Sequence, residues 1–134
     1  LAHVRELSRR FVDMVTAQSS RVIVNGPGRD VRSATVDQVA PHIVSLTIPG
    51  VPAQIALMQL DLQGVYASAG SACAAGSPVP SHVLRAMGMS EDRARATLRF
   101  SFSVRNTVAE VETAARVVAG IANESMRLEK QILG

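Results

Sequence analysis

The 134-residue sequence predicts an α+β fold, a small sheet of about four strands packed by helices, and three observations carry that expectation. Two stretches alternate as strands do: HIVSLTI sets Val44, Leu46 and Ile48 on one face, and TLRFSF sets Leu98, Phe100 and Phe102 on one face. Both ends of the chain instead carry apolar residues at helical spacing. Between these stretches lie Gly- and Pro-containing turns, with no internal repeat and no low-complexity linker, which suits one compact domain of helices laid on a sheet.

Taken in order, Leu1, Val4, Leu7, Phe11, Met14 and Val15 recur at helical spacing and predict a first helix to about Ala17. A short strand, Val22 to Val24, then runs into a Gly-Pro-Gly turn; Asn25 to Gly28 lacks the Gly-Lys-Ser/Thr ending of a phosphate-binding loop and reads as a turn. The HIVSLTI strand is bounded by Pro41 and by Pro49-Gly50. A helix follows from Pro52 to Gln63, with proline in the first turn and Gly64 as its stop, and Val65 to Ser68 returns as a short strand. Pro80 and Ser81 open a short helix that Gly88 closes, and Ser90 starts another turn with Glu91 and Asp92 near its N-terminus. In TLRFSF, Arg99 falls on the polar face between the hydroxyls of Thr97 and Ser101. Thr107 and Glu110 have capping-box spacing ahead of a long terminal helix whose stripe is Val111, Ala114, Ala115, Val118, Ile121 and Ala122.

Composition limits the functions available. A chain of this length buries a core without disulfides or metal, and no apolar run approaches the roughly 18 to 20 residues that span a bilayer, so the expectation is a soluble protein that does not enter membranes. The charge is +3, from 14 basic against 11 acidic residues, and the basic residues are scattered. With aromatics at 3% there is neither the basic cluster nor the stacking surface that nucleic-acid binding uses. One cysteine cannot close an internal disulfide, and the charged N-terminal stretch LAHVRELSRRFVDMV is unlike a secretion signal, which together suggest the cytoplasm. Because the helical pattern is already running at Leu1, the expected source is a longer protein.

The lone thiol, Cys73, stands in GVYASAGSACAAGSPVP, and no charged residue occurs between Asp61 and Arg85. Free cysteines commonly serve as small buried hydrophobes. Ala, Gly and Ser, however, supply little bulk to bury a sulfur, and Gly70, Gly76 and Pro78 disfavour regular structure, so the composition also fits an accessible thiol on a loop. A free thiol has a pKa near 8.5 and needs a base or cation to work as a nucleophile alone. His82 is the nearby candidate, but a Cys73–His82 dyad has no third group to orient the imidazole. Metal binding has no support either: His3, His42 and His82 are far apart and no paired ligand motif exists. A tethered thiol activated by a partner is what remains. For Arg99, alternation leaves open both a solvated arginine and a functional one.

SAGSACAAGS, followed by PSHVLRAMG and LRFSFS, resembles the C-terminal small domain of cysteine desulfurases of the NifS/IscS type, pyridoxal 5'-phosphate enzymes of the class V aminotransferase family. The resemblance extends over essentially the whole chain, residues 1–134, as a single domain. It implies that Cys73 is the nucleophile that attacks the sulfur of substrate L-cysteine held on the cofactor, that L-alanine leaves, and that a persulfide passes from Cys73 to a sulfur-acceptor or scaffold protein, for instance in iron-sulfur cluster assembly. It implies that Arg99 grips the substrate carboxylate, a task suited to a planar guanidinium. The full-length protein is expected to be a homodimer.

Departures from the family pattern bear on two positions. Arg99 is followed by FSFSVRNT, which displaces the next arginine to Arg105, so no role is carried onto Arg105, and Val79 stands where the family tends to have Glu. The pyridoxal cofactor needs a lysine and an acidic partner for its ring nitrogen. Lys130 is the only lysine and stands outside any cofactor motif. The family's cofactor residues belong to a large domain that precedes this segment, so the expectation is that the chain alone binds no cofactor, shows no absorption band of lysine-bound pyridoxal phosphate and is inactive. Two other readings stay open: a small domain from another class V aminotransferase or lyase in which Cys73 is incidental, and a standalone persulfide carrier.

Overall fold

The computed structural model describes residues 2–25, 42–69 and 90–133. Their elements run α1 (Ala2–Gln18), β1 (Ile23–Val24), β2 (Ile43–Thr47), α2 (Ala53–Leu62), β3 (Ser68–Ala69), α3 (Glu91–Arg95), β4 (Thr97–Ser101) and α4 (Val108–Leu133). The strands form one antiparallel sheet in the order β1-β2-β4-β3. This is the α+β architecture expected from the alternating and helical patterns.

The pairing register decides which residues share a face. Val44 lies opposite Phe100 and Leu46 opposite Leu98, with Val24 and Ala69 completing that face through their own pairings with Leu46 and Leu98. Against it pack Leu7, Phe11 and Val15 of α1, Ala56 and Leu60 of α2, and Val111, Ala115, Val118 and Ala122 of α4, all in one core. Each fully buried Leu or Phe side chain in such a core contributes roughly 1.5–3 kcal/mol relative to exposure. Phe11 stands at the centre, its ring 4.8 Å from that of Phe100 and 5.3 Å from that of Phe102. The helical stripe of α4 is buried as its spacing predicts, except that Ile121 is only partly covered.

Element ends follow from local chemistry. Pro52 stands at the N-cap of α2, and Gly64 closes the helix with a φ of 78°, a left-handed turn that glycine adopts without steric cost. Ser90 caps α3 by accepting the N–H of Arg93 at 3.2 Å. The capping box of α4 is reciprocal: Thr107 N–H donates to Glu110 Oε1 at 2.8 Å, and Glu110 N–H donates to Thr107 Oγ1 at 3.2 Å. The Thr107 backbone N–H, with Asn106 behind it, holds the Glu110 carboxyl below the usual carboxylate range.

Two boundaries differ from the sequence expectation. The third strand is Ser68–Ala69 rather than Val65 to Ser68, because its extent is set by where it meets Arg99 and Leu98 of β4 rather than by its own composition. The first strand is confined to Ile23–Val24. The Gly-Pro-Gly turn, the helix expected from Pro80 to Gly88, Cys73 and His82 lie outside the described residues.

Candidate functional site

The second face of the sheet carries a row of polar residues across all four strands. Ser45 of β2 lies directly opposite Arg99 of β4, which lies opposite Ser68 of β3. At the other end, Asn25 extends β1, its N–H donating to the carbonyl of Ser45 at 2.9 Å. Arg99 and Ser68 are exposed, and Ser45 and Asn25 are half-buried. The alternation that sends Leu98 and Phe100 inward therefore presents Arg99 outward from an inner strand of the sheet, held by backbone pairing on both sides.

Hydrogen bonds fix this row. The Arg99 Nε–H donates to Ser68 Oγ at 3.4 Å, and the Ser68 hydroxyl donates back to the Arg99 carbonyl at 3.5 Å. No other side-chain partner of the guanidinium occurs among the described residues, so its two terminal nitrogens keep the forked donor geometry that matches a carboxylate. Beside it, the Asn25 Nδ2 group donates to Thr47 Oγ1 at 2.8 Å and to Ser45 Oγ at 3.2 Å, while Asn25 Oδ1 accepts from Arg93 Nε at 3.2 Å and from its Nη2. The amide orientation is chemically forced, because a guanidinium only donates. Thr47 and Thr97 share a hydrogen bond of 2.7 Å, and the Thr97 hydroxyl donates to the Arg93 carbonyl at 2.6 Å. Both threonines are buried. This ring ties α3 to β1, β2 and β4 just before Arg99.

Arg99 is therefore where alternation put it, though its neighbour Thr97 is buried rather than solvated. Sequence reading missed Asn25, taken only as the start of a turn, and the roles of Ser45, Ser68 and Arg93. Ser45 and Thr47 were visible as the polar positions of HIVSLTI; nothing local marks Asn25 or Arg93 as partners. Arg105 lies in the turn between β4 and α4 and is exposed. Among the described residues no group of three His, Cys, Asp or Glu side chains could hold a metal ion, and no helix is long and apolar enough to cross a membrane.

An antiparallel sheet with helices packed on one face and the exposed Arg99 on the other defines a small α+β domain. The chain belongs to the class-V aminotransferase family, whose model matches residues 8–113. It is 36% identical over 126 residues to an IscS-like cysteine desulfurase of Mycobacterium tuberculosis, covering 94% of this chain and 30% of that protein. To the cysteine desulfurase IscS of Clostridium botulinum it is 30% identical over 118 residues, covering 88% of this chain and 28% of that protein. Its fold is similar to the crystal structure of a NifS-like protein from Rickettsia africae, with a TM-score of 0.65 at 24% identity over 90% of this chain and 28% of that one. The chain thus spans under a third of the length of these relatives.

Proposed function

We propose that this chain forms the small domain of a pyridoxal-phosphate-dependent cysteine desulfurase, in which Arg99 binds the carboxylate of L-cysteine and Cys73 takes its sulfur as a persulfide for delivery to an acceptor or scaffold protein. The observation that carries the reading is the position of Arg99: exposed on the polar face of the sheet and anchored through Nε by Ser68, with no other side-chain partner among the described residues. Cys73 follows Ser68 by five residues, and fully extended chain of that length reaches no more than about 18 Å. Ser68 of β3, which anchors Arg99 of the neighbouring β4, thus stands five residues ahead of the thiol in the sequence.

The residues of the chain do not fit the cofactor itself. Its sole lysine, Lys130, is exposed near the end of α4, the helix that packs on the apolar face of the sheet rather than on the face of Arg99. In this reading the cofactor is held by polypeptide outside the chain, the 134 residues alone are inactive, and the complete protein works as a cytoplasmic homodimer. The test is made on the complete protein that contains this chain. Cys73→Ser is expected to abolish L-alanine formation from L-cysteine and to remove the cysteine persulfide detected by thiol-labelling mass spectrometry. Undiminished turnover in Cys73→Ser would instead assign the chain to another class V enzyme in which the thiol is incidental.

A further inference from the structure

Besides the terminal nitrogens of Arg99, the polar row contains a hydroxyl hydrogen that finds no acceptor among the described residues. Donation around the ring has a forced direction: Arg93 donates to Asn25 Oδ1, Asn25 Nδ2 donates to Thr47 Oγ1, Thr47 therefore donates to Thr97, and Thr97 donates to the Arg93 carbonyl. Every proton in that circuit is used. The second hydrogen of Asn25 Nδ2 goes to Ser45 Oγ, so the Ser45 hydroxyl is an acceptor there, and its own hydrogen has no acceptor among the described residues. Ser45 is half-buried and directly opposite Arg99, where antiparallel pairing brings Cβ atoms to about 4.5–5.5 Å.

We propose that Ser45 is a second ligand for the substrate carboxylate, and that Asn25 is the positioning residue that turns its hydroxyl hydrogen toward the anion held by Arg99. A carboxylate has about four lone-pair sites. The fork of Arg99 takes two of them, and a hydroxyl one strand over can take a third. Because Asn25 is polarised by Arg93, its amide group stays fixed with NH₂ toward Ser45, and no reorientation is needed when substrate arrives. The inference rests on the carboxylate-binding role of Arg99 given above.

The experiment uses the complete protein, with L-cysteine as substrate and cysteamine, which lacks the carboxylate, as a competing ligand. Ser45→Ala is expected to raise KM for L-cysteine about 10-fold, the usual worth of one hydrogen bond to a charged group, with kcat within twofold and the inhibition constant of cysteamine unchanged. Asn25→Asp keeps the partner of Arg93 but replaces the NH₂ donor by an acceptor, so the Ser45 hydrogen turns back into the protein. That variant should raise KM in the same way, while the new charged contact with Arg93 offsets in its thermal midpoint the lost donation to Thr47. An unchanged KM in Ser45→Ala, or an equal loss of cysteamine binding, overturns the proposal. If Arg99→Gln raises KM and Ser45→Ala does not, only this inference fails; if Arg99→Gln leaves KM unchanged, the function proposed above fails with it.

Discussion

Leu98 and Phe100 point from β4 into a core closed by three helices, whereas Arg99, between them in sequence, is exposed on the polar face of the same strand. The two faces are held by different physics. The apolar face is non-directional: its contribution grows with the area removed from water, and neighbouring side chains share it. The polar face is directional: each hydroxyl and amide has a donor or acceptor assignment, so its geometry is fixed by a few bonds with definite protons. With the role proposed for Arg99, a strand built this way separates stability from recognition at successive residues, and the rigid hydrophobic side supplies the precision that the polar side uses.

That separation can be broken first on the apolar side. Phe100→Ala removes a ring buried against Phe11 and should cost about 3–5 kcal/mol in urea unfolding followed by circular dichroism. A loss below about 1 kcal/mol would mean the two faces do not divide the work as stated. Next comes the buried part of the polar network. Thr97→Val leaves Thr47 and the Arg93 carbonyl without their shared hydroxyl and should cost about 1–3 kcal/mol. An effect much below that range would mean the ring around Asn25 is not a structural unit.

The smallest expected effect lies away from both faces, at the start of α4. The folded-state pKa of Glu110 is depressed, so the stabilisation it gives is present above the unfolded carboxylate value of about 4.3 and is lost as pH falls through the folded value. Glu110→Gln should therefore reduce the thermal midpoint slightly near neutral pH and flatten its decline in acid. A variant whose midpoint falls with acid as steeply as that of the unchanged protein would remove Glu110 from the account.

Much of the apolar face was legible from local pattern. Alternation in HIVSLTI and TLRFSF placed Val44, Leu46, Leu98 and Phe100 inward, and the capping box located the start of α4 to the residue. The same alternation put Arg99 outward, and the resemblance to the family motifs supplied the role proposed for it. Asn25 was not legible, because its partners are brought to it only by strand pairing: Thr47 is 22 residues away and Arg93 is 68. Register also explains the shift of β3 to Ser68–Ala69, since a two-residue strand exists only through its partner. Composition reads what a residue prefers, whereas a hydrogen-bonded ring depends on which distant residues meet.

The central claim is that Arg99 serves recognition rather than stability, and Arg99→Gln in the complete protein tests it most directly, by urea unfolding and steady-state kinetics on the same preparation. The account predicts an unfolding free energy within about 0.5 kcal/mol of the unchanged protein, as for an exposed surface substitution, together with a KM for L-cysteine raised on the order of 100-fold by loss of a two-pronged charged contact. A variant that unfolds much more readily while binding L-cysteine as before would contradict it.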